Sequence, residues 1–243
     1  MLPANLGTSD HASWAVGDSV YIAGGYQPNY VAHTSVARLS QDSSNTLTIE
    51  QKAPLLESRG DIKAVTDGTV AYVSGGFTDT NGYCPSLDTV EKYTVATNTW
   101  EALPPLMTGR GDKALAILDG RLYALGGENQ VQGNCGSNPL PGEQTVVVDD
   151  VEVFEDGKWV VEASVPERRF RFEAVAVEEK GKIYTFGGQQ AFNATCSCYR
   201  TTDEILYLVD AHDDSGSGSS AWSFAPGMMA SLGAAVIAVS MFF

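Results

Sequence analysis

Histidine is scarce in this chain: three residues in 243, His11, His33 and His212. They are scattered, so they supply neither a metal triad nor a base beside a nucleophile, and no poised carboxylate pair stands out instead. Basic residues are also few, 15 Lys and Arg against 30 Asp and Glu, a formal charge of −15. So acidic a surface repels phosphate and argues against nucleic acid as a partner. Otherwise the charge reads as solvated acidic faces. The opening residues, MLPANLGTSDHAS, hold no basic segment followed by an apolar one, so no secretory signal is written there. No calcium-loop spacing surrounds Asp213-Asp214. Hydrophobic residues make up 43% of the chain, enough for a folded core. The length suits one large all-β domain.

What the chain does have is an internal repeat. Tyr-x-x-Gly-Gly occurs four times: Tyr21 with Gly24 and Gly25, Tyr72 with Gly75 and Gly76, Tyr123 with Gly126 and Gly127, Tyr184 with Gly187 and Gly188. The tyrosines are spaced by 51, 51 and 61 residues. Ahead of each motif lies an alternating strand pattern, at 11–16, 62–66, 113–118 and 173–177. A tight turn follows at Gly17-Asp18, Asp67-Gly68, Asp119-Gly120 or Lys180-Gly181, where glycine accepts the positive φ of a short hairpin. The second strand ends in the double glycine, where a missing Cβ lets backbones approach. A third strand follows Asp88, Asp149 or Asp203, carrying Val90 and Tyr93, Val151 and Phe154, or Ile205 and Tyr207. Trp100 and Trp159 announce a fourth. Four antiparallel strands per unit of about 50 residues is the pattern of a propeller blade.

With Gly-Gly closing the second strand and Tyr and Trp spaced behind it, the units resemble the kelch family of β-propellers, to which galactose oxidase-type propellers are related. The resemblance spans nearly the whole chain, and implies an all-β propeller of four four-stranded blades, at about 8–56, 57–107, 108–168 and 169–229. The first unit lacks the spaced aromatic and Trp, which predicts a smaller core there. Trp222, Pro226 and Met229 repeat the spacing of Trp100, Pro104 and Met107, so Trp222 is expected on the fourth strand of blade four. The Ser/Gly stretch at 215–220 then becomes the loop before it. Of the apolar residues 228–243, residues 230–243, with Gly233–Val239 in register with Gly111–Ile117, are expected as the first strand of a fifth blade. The alternative for this tail is a lipid-anchor attachment signal. A membrane span fits less well, since sixteen residues rise only about 24 Å as a helix. Kelch rings generally use more than four blades, so the chain is expected to form part of a larger ring.

In such a blade the loops from strand two to three, and from one blade to the next, open on one face. The two-to-three loops are long, 12, 22 and 15 residues from the second glycine to the next Asp. Loops of that length usually carry a role. Tyr26, Asn29, Tyr30, Phe77, Tyr83, Asn129 and Phe192 lie in them; of these Tyr26, Tyr30, Phe77 and Tyr83 are taken as partner contacts. Arg59, Arg110 and Arg171 each stand 16 residues before the first glycine of their motif. The resemblance places such arginines at the channel mouth, where a guanidinium fork suits carboxylates. Pairing with Asp61, Asp112 or Glu173 is the structural alternative. The Arg-Gly-Asp tripeptides at Arg59 and Arg110 fall where the repeat demands Arg-Gly and are not read as adhesion motifs.

Cys84, Cys135 and Cys196 each lie eight residues after the second glycine; His33 holds that place in unit one, and Cys198 is extra. Disulfides bracing the loops are the preferred reading and imply an oxidising compartment. Free thiols and a zinc site of one His and three Cys are the alternatives. Asn193-Ala194-Thr195 is a glycosylation sequon. No cofactor is expected; copper oxidases on related propellers need His and Tyr ligands and a Cys–Tyr crosslink that nothing here matches. The expectation is a non-catalytic scaffold binding a protein through an acidic segment, extracellular or lumenal, with the cytoplasm as alternative. A carbohydrate-binding or carbohydrate-active propeller is the rival, and a membrane enters only if the tail is an anchor.

Overall fold

A computed structural model describes residues 7–130, 145–209 and 221–224. Sixteen strands form four antiparallel sheets, each in sequential order. Blade one comprises β1 (Ala12–Val16), β2 (Ser19–Ala23), β3 (Val36–Gln41) and β4 (Leu47–Lys52). Blade two comprises β5 (Ala64–Thr66), β6 (Val70–Ser74), β7 (Val90–Thr94) and β8 (Thr99–Leu103). Blade three holds β9 (Ala114–Leu118), β10 (Arg121–Leu125), β11 (Asp150–Glu155) and β12 (Lys158–Ser164). Blade four holds β13 (Glu173–Val177), β14 (Lys182–Phe186), β15 (Ile205–Val209) and β16 (Ala221–Phe224). The first strands pack in sequence, β1 on β5, β5 on β9, β9 on β13. Trp222 sits on β16, paired with Leu208, as its spacing predicts. The tail, the Ser/Gly stretch and Cys135 lie outside the described residues.

Three apolar clusters fill the three seams between neighbouring blades. On β7 and β11, Tyr93 and Phe154 face Trp100 and Trp159 of the next strand. Each Trp also donates its indole N–H to the chain leaving the preceding blade, Trp100 to Ala53 O at 2.8 Å and Trp159 to Pro104 O at 2.9 Å. Blade one has Leu39 opposite Ile49 instead. The smaller core predicted there is corrected by Trp14. From β1 it stacks on Tyr21 at 5.2 Å and meets Tyr93 and Trp100 edge-on at 5.8 and 6.2 Å. Aromatic volume moved from strand four to strand one, and the seam is filled from the other side.

The double glycines are where the next blade's backbone arrives. Gly25, Gly76 and Gly127 donate to the carbonyls of Arg59, Arg110 and Arg169 at 2.8, 3.0 and 2.9 Å. Both glycines of each pair have positive φ, and a Cβ on Gly75 would lie 2.1 Å from Arg110 O. No side chain fits.

The arginines on the other side of these bonds are wholly buried, at 0% exposure. Arg59 donates to Glu91 Oε1 at 2.7 Å and to the carbonyls of Gly75 and Thr89. Arg110 pairs with Glu152 at 3.0 Å and Arg169 with Glu204 at 3.3 Å. The glutamates of the first two pairs also accept from linker amides: Glu91 from Leu56 and Glu57, Glu152 from Met107 and Thr108. This corrects the expectation that Arg59 and Arg110 grip a partner's carboxylates. The in-blade glutamates already hold them, and no surface of either is free. Nor do they pair with Asp61 or Asp112, the structural alternative read from sequence.

Removing one partner of a buried pair strands the other charge. Arg110→Ala should therefore lower the unfolding free energy by about 3–5 kcal/mol, read from the urea midpoint. Arg168→Ala, whose half-exposed side chain meets Asp149, should cost less than about 1 kcal/mol.

Candidate functional site

Two rings of residues surround the central opening on the loop face. The first is the residue that follows each double glycine: Tyr26, Phe77, Glu128 and Gln189. Each forms an isolated bridge to the start of a blade, with Ser9, Gly60, Gly111 and Phe170. The second consists of Asp10, Asp61, Asp112 and Arg171, all left-handed with φ of 54, 54, 50 and 53°. They are linked main chain to main chain, Asp112 N to Asp61 O at 3.0 Å and Arg171 N to Asp112 O at 2.8 Å. Asp is among the few non-glycine residues that accept this conformation readily; Arg171 occupies the aspartate position of blade four.

That placement corrects the register read from sequence. The bridge from Phe170 to Gln189 makes Arg169, not Arg171, the counterpart of Arg59 and Arg110. The hairpin between β13 and β14 contains a 3-10 turn, Glu178–Lys180, where blade three turns with Asp119-Gly120 alone. Counting back sixteen residues from the double glycine therefore stops two residues short of the true equivalent, Arg169.

A cleft of about 240 Å³ opens among these rings, lined by Tyr26, Tyr30, Asp61, Phe77, Tyr83, Glu128, Gln130 and Arg171. Five of the seven predicted contact residues thus meet in one place, Tyr26, Tyr30, Phe77, Tyr83 and Arg171; the missing two are the buried arginines. The Tyr26 ring covers Gly60 and the Phe77 ring covers Gly111. Tyr26 lies 5.5 Å from Tyr30 and 6.0 Å from Tyr83, centroid to centroid. Tyr83 donates its hydroxyl to Tyr30 O, and Asp79 accepts from Ala32 N at 2.8 Å, so the loops of blades one and two hold each other. Tyr30 is 65% exposed.

The polar members form a chain. Tyr26 donates to Asp61 Oδ2 at 2.8 Å, and Arg171 donates from Nε to Asp112 Oδ2 at 2.8 Å and from Nη1 to Gln189 Oε1 at 3.3 Å. The Arg171 guanidinium also lies over the Phe170 ring at 5.3 Å. Burial, with the Asp112 charge beside it, pushes Asp61 up to about 7. Burial and Asp112 also raise Glu128, to about 8. Asp61, Asp112, Glu128 and Gln130 were missed in the sequence. Glu128 could have been found, since it stands where two other units have aromatics.

Among the described residues no cysteine lines this cleft. The sulfurs of Cys196 and Cys198 are 2.12 Å apart, at the tip of the ribbon made by Gln189–Asn193 and Cys198–Thr201. Cys84 is disulfide-bonded. Asn193 ends the same ribbon's first strand, its side chain accepting from Thr195 N at 2.9 Å. His33 uses both ring nitrogens locally, with Thr8 Oγ1 at 3.0 Å and Ser35 N at 3.2 Å. Among the described residues no helix is long and apolar enough to cross a membrane.

Four sequential four-stranded sheets, with first strands packed one on the next, define a β-propeller arrangement. The model of the kelch motif matches residues 58–107. Kelch-like protein 35 of Mus musculus is 26% identical over 239 residues, covering 90% of this chain and 38% of that protein. Kelch-like protein 25 of Homo sapiens is 30% identical over 139 residues, covering 56% of this chain and 22% of that one. Kelch repeat protein C2 of Vaccinia virus (strain Western Reserve) is 26% identical over 169 residues, covering 70% and 29%. The structure of YjhT superposes with a TM-score of 0.68 at 12% identity, over 88% of this chain and 68% of that one. The chain thus carries a kelch motif on a propeller fold and is similar to kelch-like proteins, and spans 38% of the length of the first of these relatives.

Both raised carboxyls bind a proton in the fold that they would release when unfolded. Their stabilising effect is full below the unfolded carboxyl range and is lost as pH rises through about 7 for Asp61 and about 8 for Glu128. The melting temperature should therefore fall between pH 6 and 9. Glu128→Gln should flatten that fall, and a slope unchanged by the substitution would contradict the assignment.

Proposed function

We propose that this propeller is a non-catalytic scaffold that binds a partner protein on the loop face, with the aromatic cleft as the centre of contact. The observation that carries the reading is the meeting of Tyr26, Tyr30, Phe77 and Tyr83 from two blades around one opening. Large, semi-rigid rings in a cleft are the residue type that dominates binding energy at interfaces. The kelch-like relatives support the same reading. The acidic partner segment expected from sequence loses its support, because two of its three arginines are buried. Replacing Tyr30 and Tyr83 together by Asn keeps a residue that tolerates their left-handed backbone. The double variant should lose the proteins that the wild type captures from its native extract, with the melting temperature unchanged. Equal capture would remove the cleft from the reading.

A second reading has its own observation. Asp61 and Glu128 place two protonatable carboxyls in an aromatic cleft, the arrangement a sugar-binding or sugar-cleaving site would use. A glycan that raises the melting temperature of the wild type but not of Asp61→Asn would favour it. The Cys196–Cys198 contact supports an oxidising, extracellular or lumenal compartment. Natively sourced protein, denatured without reductant, should then show no reactive thiol at these two positions; reactive thiols at all four cysteines would place it in the cytosol.

A further inference from the structure

We propose that the cleft binds a basic side chain, arginine or lysine, presented by the partner protein, with Asp61 and Glu128 as its counter-charges and Tyr26, Tyr30 and Tyr83 as its walls. The proposal rests on the protein-binding reading above and gives that partner a chemistry.

The mouth is short of positive charge. Asp10, Asp61, Asp112 and Glu128 face one another across the two rings, and Arg171 is the cation set among them. It is already engaged, bonded to Asp112 and Gln189. Among the described residues no Lys or Arg nitrogen stands within ion-pair distance of Asp61 or Glu128, whereas Arg59, Arg110, Lys63 and Arg169 each have a glutamate of their own. Glu128 is only 7% exposed, lines the cleft, and has Asp112, another carboxylate, as its side-chain neighbour. A buried carboxylate with no cation is costly. The empty cleft meets that cost by holding protons, which is why both groups titrate far above the ordinary carboxyl range.

An entering guanidinium or ammonium would replace the proton as the neutralising charge and make charge-assisted hydrogen bonds to the same oxygens. The tyrosine rings add cation–π attraction, strongest where the cation is desolvated. An anionic side chain would meet the same four carboxylates and be repelled. A neutral sugar could stack on the rings, yet it would leave Asp61 and Glu128 to rely on their protons for neutrality. Charge complementarity therefore separates the three occupants.

The pH dependence follows with its sign. Asp61 faces Tyr26, Asp112, Asp10 and Arg171; Glu128 faces Asp112, Arg171 and Asp61. Cation binding must release the Asp61 and Glu128 protons, so it tightens as pH rises through about 7 to 8.

The test uses the full chain and four probes: end-blocked Gly-Gly-Arg-Gly-Gly, its Lys and Glu counterparts, and a neutral oligosaccharide, maltotriose. Binding is followed by NMR titration at pH 6 and pH 8.5. The Arg or Lys peptide should bind at least about tenfold more tightly than the Glu peptide, and about tenfold more tightly at the higher pH. Glu128→Gln should lose about tenfold in affinity and most of the pH dependence, and Asp61→Asn should do the same if Glu128→Gln proves unstable. No binding by either basic peptide, a preference for the Glu peptide or for maltotriose, or full affinity in both variants would overturn the proposal. If it fails while the Tyr30 and Tyr83 variant still loses its captured partners, the scaffold reading survives. If capture is indifferent to those tyrosines, the scaffold reading falls by itself.

Discussion

The buried arginine at the start of blades two, three and four is the interaction on which the rest of the structure depends. Its carbonyl accepts the second glycine's N–H of the preceding blade. Its guanidinium reaches a glutamate on the third strand of its own blade or, for Arg169, Glu204 immediately before that strand. One residue thus joins blade to blade through the main chain and strand to strand through the side chain. The first two glutamates then fix the entering linker through its amides. A buried ion pair is weak evidence of net stability, since desolvation offsets much of the attraction. What it does secure is register. A shifted first strand would leave both a guanidinium and a carboxylate unpaired in the core, and each would be costly there.

That commitment fixes the character of the loop face. With Arg59, Arg110 and Arg169 turned into the core, the residue two places on becomes the one that borders the axis. In this chain that residue is Asp10, Asp61, Asp112 and Arg171. The scaffold removes positive charge from the surface and leaves carboxylates at the mouth. The sign of the binding face is a consequence of how the blades are held together.

The blades were legible because their signals are local and repeated. Alternating strands, turn glycines and the double glycine each answer to short-range geometry, and four copies in one chain average out exceptions. Trp222 was placed on its strand by spacing to Pro226 and Met229 alone. The site was less legible because burial is not local. Arg59 looks the same in sequence whether it points into the core or the channel; the partner that decides is Glu91, 32 residues away. Arg171 was misassigned because register was counted across a hairpin of variable length. Counting instead from Arg-Gly-Asp would have matched Asp112 to Arg171 directly. Trp14 was overlooked as core because the repeat expects its bulk on strand four, while the seam accepts it from either side.

Lys113 shows why the acidic excess at the mouth is not cancelled from below. It follows Asp112, at the position where blade two has Ile62 and blade four has Phe172, and like them it lies under the preceding double glycine. It is fully buried, its amine pointing at Ser74 O and, at 3.4 Å, Arg110 O. Burial and the nearby Arg110 and Arg59 charges hold its pKa well below the usual lysine range. A lysine in that setting behaves as a polar filler of a hydrophobic position, bonded to carbonyls through its protons. It brings no lasting cation to Asp112. Among the described residues the carboxylates above it are left with Arg171, and a lysine where blades two and four carry Ile62 and Phe172 does not relieve the acidic mouth.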